Sequence, residues 1–186
     1  MPGVDQPAEL HGTPLEVFVV NYLGGENLLE CISSLYASDY PAVAIRIIDY
    51  PPYDPVLDEA AKRYPGVEII KPGANRGYAG AMHIAAAKCS RELLVICNND
   101  LVFEPDCLGK MVDVHESSGA ASVSARIVNP DESPIESGFN ASLNPFFYLI
   151  HGVFNDRTRA VYPSGACFLI EKKALADCLP PEEFFL

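Results

Sequence analysis

Asp100 closes the run Leu93-Leu94-Val95-Ile96-Cys97-Asn98-Asn99-Asp100, an apolar stretch that stops on two amides and a carboxylate. A short run rich in branched side chains and bounded by polar residues reads as a buried parallel strand. In open α/β sheets, ligands bind just beyond the carboxyl ends of the strands. A carboxylate there has the chemistry to hold Mg²⁺ or Mn²⁺ together with diphosphate oxygens and waters. Taken alone, the same three polar residues fit a plain strand-end turn equally well.

Three more polar clusters end apolar runs in the same way: Asn21-Tyr22, Asp49, and Asn75-Arg76-Gly77. Asp49 follows two isoleucines and has the acceptor geometry for a base imide N–H. Arg76 offers a charged fork suited to a diphosphate. Gly77 and Gly80 permit close backbone approach just before a helix N-terminus, which favours anions. Together the four clusters describe a nucleoside-diphosphate site along one edge of one sheet.

The elements that must position these residues alternate at short intervals. Residues 1–14 read as a loose lead-in. Strands are expected at Leu15 to Asn21, Val43 to Ile48, Val67 to Ile70 and the opening run. Helices are expected at Glu26 to Ser38, from Asp54-Pro55 onward, and from about Ala79 to Cys89. In the first helix, Leu28, Leu29, Ile32 and Leu35 recur at helical spacing. Such alternation implies an α/β fold with a mostly parallel central sheet and helices on both faces. Beyond Asp100, a helix is expected over Pro105 to Glu116, a strand over Ala120 to Val128, and irregular chain over Asn129 to Val161. Phe146, Phe147 and Tyr148 form an aromatic group within that stretch. A strand at Cys167 to Ile170 and a short helix at Lys172 to Cys178 follow.

The 186 residues suffice for one domain with a sizeable core. The formal charge of −12 argues against nucleic acid and anionic membrane surfaces as direct partners. It leaves room for phosphorylated ligands bridged by a cation. None of the six cysteines forms a C-x-x-C pair, and most lie in apolar runs, so buried free thiols in a reducing compartment are expected. No signal peptide and no run of membrane-spanning length is expected. The reading is a soluble, cytoplasmic chain, stationed at the inner face of the membrane if a longer protein carries an anchor.

The chain resembles the family 2 glycosyltransferases of GT-A fold (Rossmann-like), nearest their rhamnosyltransferase-like members. The resemblance rests on Val19-Val20-Asn21-Tyr22 with Gly24-Gly25, Cys31 to Leu35, Ile47-Ile48-Asp49, Asn75-Arg76-Gly77-Tyr78-Ala79-Gly80 and Asn98-Asn99-Asp100. Gly165-Ala166-Cys167-Phe168-Leu169-Ile170 and Glu183-Phe184-Phe185-Leu186 also match. It implies one GT-A domain over 15–186 and inverting transfer of a sugar from a UDP-, dTDP- or GDP-linked donor to an acceptor hydroxyl. The acceptor class it implies is a glycan or lipid-linked saccharide, as in cell wall or polysaccharide biosynthesis. Carried over, the nucleotide-binding set is Asn21, Tyr22, Asp49, Asn75, Arg76, Gly77, Asn98 and Asn99. Asp49 would contact the base, Asp100 the metal, and Gly165 and Ala166 would lie on the acceptor side. Asn98 replaces the first carboxylate of the family's Asp-x-Asp-type motif, which leaves fewer anionic ligands.

Other departures concern Tyr50-Pro51-Pro52-Tyr53, where the family carries a small polar stretch, and Met82-His83, where it carries an asparagine pair. The two tyrosines are expected to pack rather than stack on a base. His83 is expected to be an ordinary helix-face residue. The family's general base follows the Phe-Phe-Leu stretch, so it is expected beyond Leu186. The domain then reads as C-terminally incomplete and inactive in transfer by itself, and Glu182 and Glu183 read as solvated turn carboxylates. The alternative is a non-catalytic nucleotide-sugar-binding module. A nucleotidyltransferase is disfavoured because no Lys or Arg follows the first strand. A Rossmann dehydrogenase is disfavoured because no G-x-G-x-x-G does.

Overall fold

In the computed structural model, residues 12–41, 43–129, 131, 133–136, 139–143, 149–153 and 165–181 are described. For 134–136, 139–143 and 149–153 the description is of the backbone. The lead-in up to residue 11, the aromatic group 146–148 and the carboxylates Glu182 and Glu183 lie outside these residues.

Four strands, β1 (Leu15–Asn21), β2 (Val43–Asp49), β3 (Glu68–Ile70) and β4 (Leu93–Asn98), run parallel and in step. They alternate with α1 (Glu26–Tyr36), α2 (Leu57–Arg63) and α3 (Gly77–Lys88). After β4 come α4 (Cys107–Ser118), β5 (Ser122–Ser124), β6 (Ile127–Val128), β7 (Pro134–Glu136), β8 (Phe139–Leu143), β9 (Leu149–Val153), β10 (Cys167–Glu171) and α5 (Lys172–Asp177). The central sheet has the order β3-β2-β1-β4-β10-β5, with β10 antiparallel to both its neighbours. The expected mostly parallel α/β sheet is thus present, with one antiparallel strand, β10, set between β4 and the edge strand β5.

Side-chain alternation along the strands builds two cores. Leu15, Val17 and Val19 of β1, with Ile45 and Ile47 of β2 and Val95 and Cys97 of β4, pack under α1, α2 and α4. Phe18, Ile48, Leu94 and Ile96 face the other way, against α3 and α5. Being covered on both faces, β1 and β4 need apolar residues at consecutive positions, and so Val17 to Val20 and Leu93 to Cys97 read as continuous hydrophobic runs. The inward face of α1 consists of Leu28, Leu29, Cys31, Ile32 and Leu35. The inward face of α3 is small, with Ala81, Ala85 and Ala86 buried, which lets this helix lie close on the sheet.

Three expectations are corrected. The single strand over Ala120 to Val128 is two, since Ala125 and Arg126 interrupt it. β5 stays in the central sheet while β6 leaves to pair with β7. Within Asn129 to Val161, expected to be irregular, the backbone forms β7 and the β8–β9 antiparallel pair. The second helix begins at Leu57 rather than Asp54, because Asp54 instead accepts a hydrogen bond from the Val56 N–H at 3.1 Å, forming the turn that leads in. All six cysteines are free, but only Cys31, Cys89, Cys97 and Cys167 are buried; Cys107 is half-buried and Cys178 exposed. Among the described residues no helix is long and apolar enough to cross a membrane.

Candidate functional site

The parallel register brings Asn21 beside Asp49, and Val20 beside Asn98, at the carboxyl edge of the sheet. A cavity of about 440 Å³ opens there, lined by Val20, Tyr22, Tyr50, Asn75, Gly77, Tyr78, Asn98 and Asn99. Five of the residues expected at a nucleotide therefore share one wall: Tyr22, Asn75, Gly77, Asn98 and Asn99. The remaining three, Asn21, Asp49 and Arg76, are not part of that wall.

Strand parity explains the division. Val20, Tyr22, Ile48, Tyr50, Ile96 and Asn98 fall on the α3 face, where the cavity lies. Asn21 and Asp49 fall on the α1 face, and there they form a buried polar network. Asn21 is fully buried, and its Nδ2 donates to Asp49 Oδ1 at 2.6 Å and to Asp54 Oδ2 at 3.4 Å. Its Oδ1 accepts from Asn99 Nδ2 at 2.5 Å, so Asn99 links the network to the cavity wall. Asp49 is 0% exposed, and its Oδ2 accepts from the Asp54 N–H at 3.1 Å. Both its oxygens are thus engaged within the network, and Asp49, expected to contact a base, does not line the cavity. Burial raises the Asp49 pKa against the bonds from Asn21 and Asp54 that oppose it.

Sequence reasoning placed Asp54 only at the start of the second helix. It is 6% exposed, and Oδ2 accepts from the Gly25 N–H at 2.8 Å, tying the β1–α1 loop to the β2–α2 loop. Burial pushes its pKa up, but hydrogen bonds from Gly25, Val56, Asn21 and Gly24 win and hold it below the ordinary carboxylate value. The signal available in the sequence was a second aspartate five residues after Asp49, at the end of a proline-stiffened loop.

Gly24 packs directly on this network. A Cβ there would lie 2.3 Å from Asn99 Nδ2 and 2.5 Å from Asn21 Oδ1, too close for either to stay. Gly24→Ala is expected to part the Asn21–Asn99 pair at a cost of about 1–3 kcal/mol, the range for overpacking a tight site. Urea unfolding of the variant measures it; a midpoint unchanged from the parent protein contradicts the packing described.

On the cavity side, Tyr50 packs as expected. It is 2% exposed and donates its hydroxyl to the Gly77 carbonyl at 3.0 Å, while burial pushes its pKa up to about 12. Its hydroxyl also limits α3, since a Cβ on Gly80 would sit 3.1 Å from it and 2.3 Å from Arg76 Cβ. Gly77 has φ of 65°, a left-handed conformation that suits glycine, and its N–H bonds Asn75 Oδ1 at 2.8 Å. Arg76, exposed, immediately precedes α3. Tyr53 is more exposed, donating to the Pro72 carbonyl at 2.9 Å with Lys71 Nζ 5.2 Å from its ring centroid. His83 Nε2 lies 2.7 Å from the Pro180 carbonyl, which makes this nitrogen the protonated one and the residue a tie between α3 and the chain after α5.

Asp100 stands exposed in the turn just past β4, immediately after the wall residues Asn98 and Asn99. Among the described residues no cluster of three His, Cys, Asp or Glu exists that could cage a metal. A lone exposed carboxylate beside two amides fits a Mg²⁺-like ion that takes its other ligands from phosphates and water. Gly165 is exposed, and the Ala166 carbonyl accepts from the Asn98 N–H at 2.9 Å, which sets the proposed acceptor-side turn against the same strand end.

A sequence profile described as glycosyl transferase family 2 matches residues 16–179. N-acetylglucosaminyl-diphospho-decaprenol L-rhamnosyltransferase of Mycobacterium tuberculosis is 24% identical over 193 residues, a match covering 88% of this chain. The chain spans 63% of the length of these curated relatives. Among solved structures, S. aureus TarS 1-349 superposes with a TM-score of 0.70 at 14% identity, covering 93% of this chain and 52% of that one. Its complex with UDP gives 0.70 at 15%, covering 92% and 51%. Mannosyltransferase PcManGT from Pyrobaculum calidifontis, in complex with GDP-Man and Mn²⁺, gives 0.57 at 20%, covering 70% and 40%. At these identities the structural likeness is one of fold, and the fold is that of GT-A glycosyltransferases.

Proposed function

The chain belongs to glycosyl transferase family 2, and from that premise we propose that it carries the donor site of an inverting sugar transfer from a nucleotide diphosphate to an acceptor hydroxyl. The observation that carries this reading is the cavity at the carboxyl ends of β1, β2 and β4, with Asp100 directly beside its wall. Tyr22, Asn75, Asn98 and Asn99 would hold the nucleoside portion through ring and amide contacts. Arg76 and the N-terminus of α3 at Gly77 would draw the diphosphate, the helix supplying partial positive charge and the guanidinium a full one. Asp100 would hold Mg²⁺ or Mn²⁺, whose charge would stabilise the departing diphosphate.

Gly165 and Ala166 would border the acceptor. The name of the mycobacterial relative supports a glycan or lipid-linked saccharide as the acceptor class, met at the inner face of a membrane by an otherwise cytoplasmic domain. Among the described residues the cavity wall carries no carboxylate, so no general base is assigned to it.

Calorimetric titration with UDP, dTDP and GDP, each with and without Mg²⁺ or Mn²⁺, tests the donor site. Binding that appears only with the cation is expected. Absence of binding to all three, or equal binding in a chelator, contradicts the proposal.

A further inference from the structure

We propose that the Tyr78 hydroxyl, buried without a hydrogen-bond partner among the described residues, takes a hydroxyl of the transferred sugar as its partner when the donor binds. Tyr78 is then a specificity-determining residue held at a cost in the free protein. The inference rests on the donor-site reading above and deepens it by assigning a residue to the sugar.

Three tyrosines line the cavity, and their oxygens meet different fates. Tyr50 donates to the Gly77 carbonyl at 3.0 Å. Tyr22 is 53% exposed, so water serves it. Tyr78, in the first turn of α3, borders the cavity with its side chain, but its hydroxyl oxygen is buried and bonds to no described residue. A buried tyrosine oxygen ordinarily finds a partner, and one left without loses its hydration for nothing in return. An exception of this kind calls for a reason. Phenylalanine would fill the same space without the penalty.

Position narrows what completes the group. Burial above all, and then Cys97 and Cys167, push the Tyr78 pKa well above its ordinary value, so the hydroxyl stays neutral and can both donate and accept. Those two cysteines face each other across β4 and β10. The hydroxyl is therefore close to the junction of these strands, one residue below the bond from the Asn98 N–H to the Ala166 carbonyl at 2.9 Å. Asp100 lies just beyond one strand end and Gly165 just before the other. A sugar passing from a diphosphate to an acceptor has to lie between the two, and this junction separates the residues proposed for each. Sugar hydroxyls both donate and accept, as the tyrosine does. Because Tyr78 already borders the cavity, a turn about its side-chain bonds presents the oxygen to an occupant.

Tyr78→Phe removes the oxygen and keeps the ring. Urea unfolding of the free variant is expected to give a midpoint above that of the parent, since the unpaired group is gone. Calorimetry with Mn²⁺ compares UDP with UDP-GlcNAc, and GDP with GDP-mannose. The parent is expected to bind at least one of these sugar nucleotides more tightly than its bare diphosphate. Tyr78→Phe is expected to bind that sugar nucleotide about tenfold more weakly and both bare diphosphates as the parent does. A merely structural role moves the two classes of ligand together. A midpoint no higher than the parent's overturns the inference, because the hydroxyl then has a partner in the free protein. So does an equal loss for sugar nucleotide and bare diphosphate, an unchanged affinity for both, or a parent that gains nothing from either sugar. Failure of the parent to bind UDP or GDP overturns the donor site itself, and the sugar assignment with it.

Discussion

Replacing Asp100 with alanine lowers the affinity for a nucleoside diphosphate in Mn²⁺ about a hundredfold, and what binding is left no longer responds to the metal. The size follows from the donor set. At the end of β4 the sequence supplies two amides and one carboxylate, and among the described residues no second acidic ligand completes a cage. An ion bound through one protein carboxylate and the ligand's own phosphates depends on that carboxylate for most of its hold. A hundredfold is about 2.7 kcal/mol, within reach of one charged ligand at a partly solvated site. The acidity of the chain adds to the effect. With a net charge of −12, the described residues offer a diphosphate little beside this cavity other than Arg76 and the N-terminus of α3, so the cation is the bridge between two anions. The measurement is a pair of calorimetric titrations of Asp100→Ala and the parent, with Mn²⁺ and with a chelator. The two proteins should differ with the metal and coincide without it. A variant that binds as tightly as the parent in Mn²⁺ removes Asp100 from the metal site.

How much of this was legible in the sequence depends on which physical signal each feature leaves. β4 and the Val17 to Val20 stretch of β1 announce themselves because strands buried on both faces need consecutive apolar residues, while β2 shows through its isoleucines around Arg46. The position of the cavity at their ends followed from the alternation with α1 and α3. What did not follow was the facing of individual residues at those ends. Asn21 and Tyr22 are neighbours in sequence, yet one is fully buried in a polar network and the other 53% exposed at the cavity. The period-2 alternation that gives this result was present in the pattern Val17, Val19, Asn21 against Phe18, Val20, Tyr22. Treating each strand end as one polar cluster concealed it. Tyr50 is the second lesson, because its parity with Ile48 sends it to the cavity face, where it both packs and forms the wall.

The later chain was less readable for a different reason. β5, β6 and β7 have two or three residues each, too few for a hydrophobic period to register. The placement of β10 between β4 and β5, antiparallel to both, is set by long-range pairing, with Cys167 opposite Cys97 and Phe168 opposite Ser124. No local pattern encodes such a partner. The apolar run of β10 was visible and its direction was not.

Asp54→Ala is expected to cost about 3–4 kcal/mol at pH 7, the largest stability effect anticipated for a residue of the site. Asp54 is 6% exposed and accepts from the Gly25 N–H, the Val56 N–H and Asn21 Nδ2 at 2.8, 3.1 and 3.4 Å. Hydrogen bonds to a charged acceptor contribute about 1.5–3 kcal/mol each, and donors left unpaired in a buried site add to the loss. The bonds share one carboxylate and the longest is weak, which keeps the total below their sum. Asp54→Asn, which retains one acceptor, should lose about half as much. The dependence on pH distinguishes this account from a mere loss of packing. Asp54 has a folded pKa below its ordinary value, because its hydrogen bonds outweigh burial. Its contribution is therefore complete above the unfolded pKa of about 3.9 and is lost as pH falls through the lower folded value. The gap between parent and Asp54→Ala should be widest at neutral pH and shrink below about pH 4. Asp49 works with the opposite sign. Burial raises its folded pKa, so protonation favours the folded state as pH falls through that value, and the acid limb of the parent is shallower than Asp54 alone would make it. Urea unfolding of both proteins between pH 7 and pH 3 measures the gap. A gap independent of pH would mean that Asp54 does not act as an ionised acceptor, and the tie it makes between the β1–α1 and β2–α2 loops would rest on shape alone.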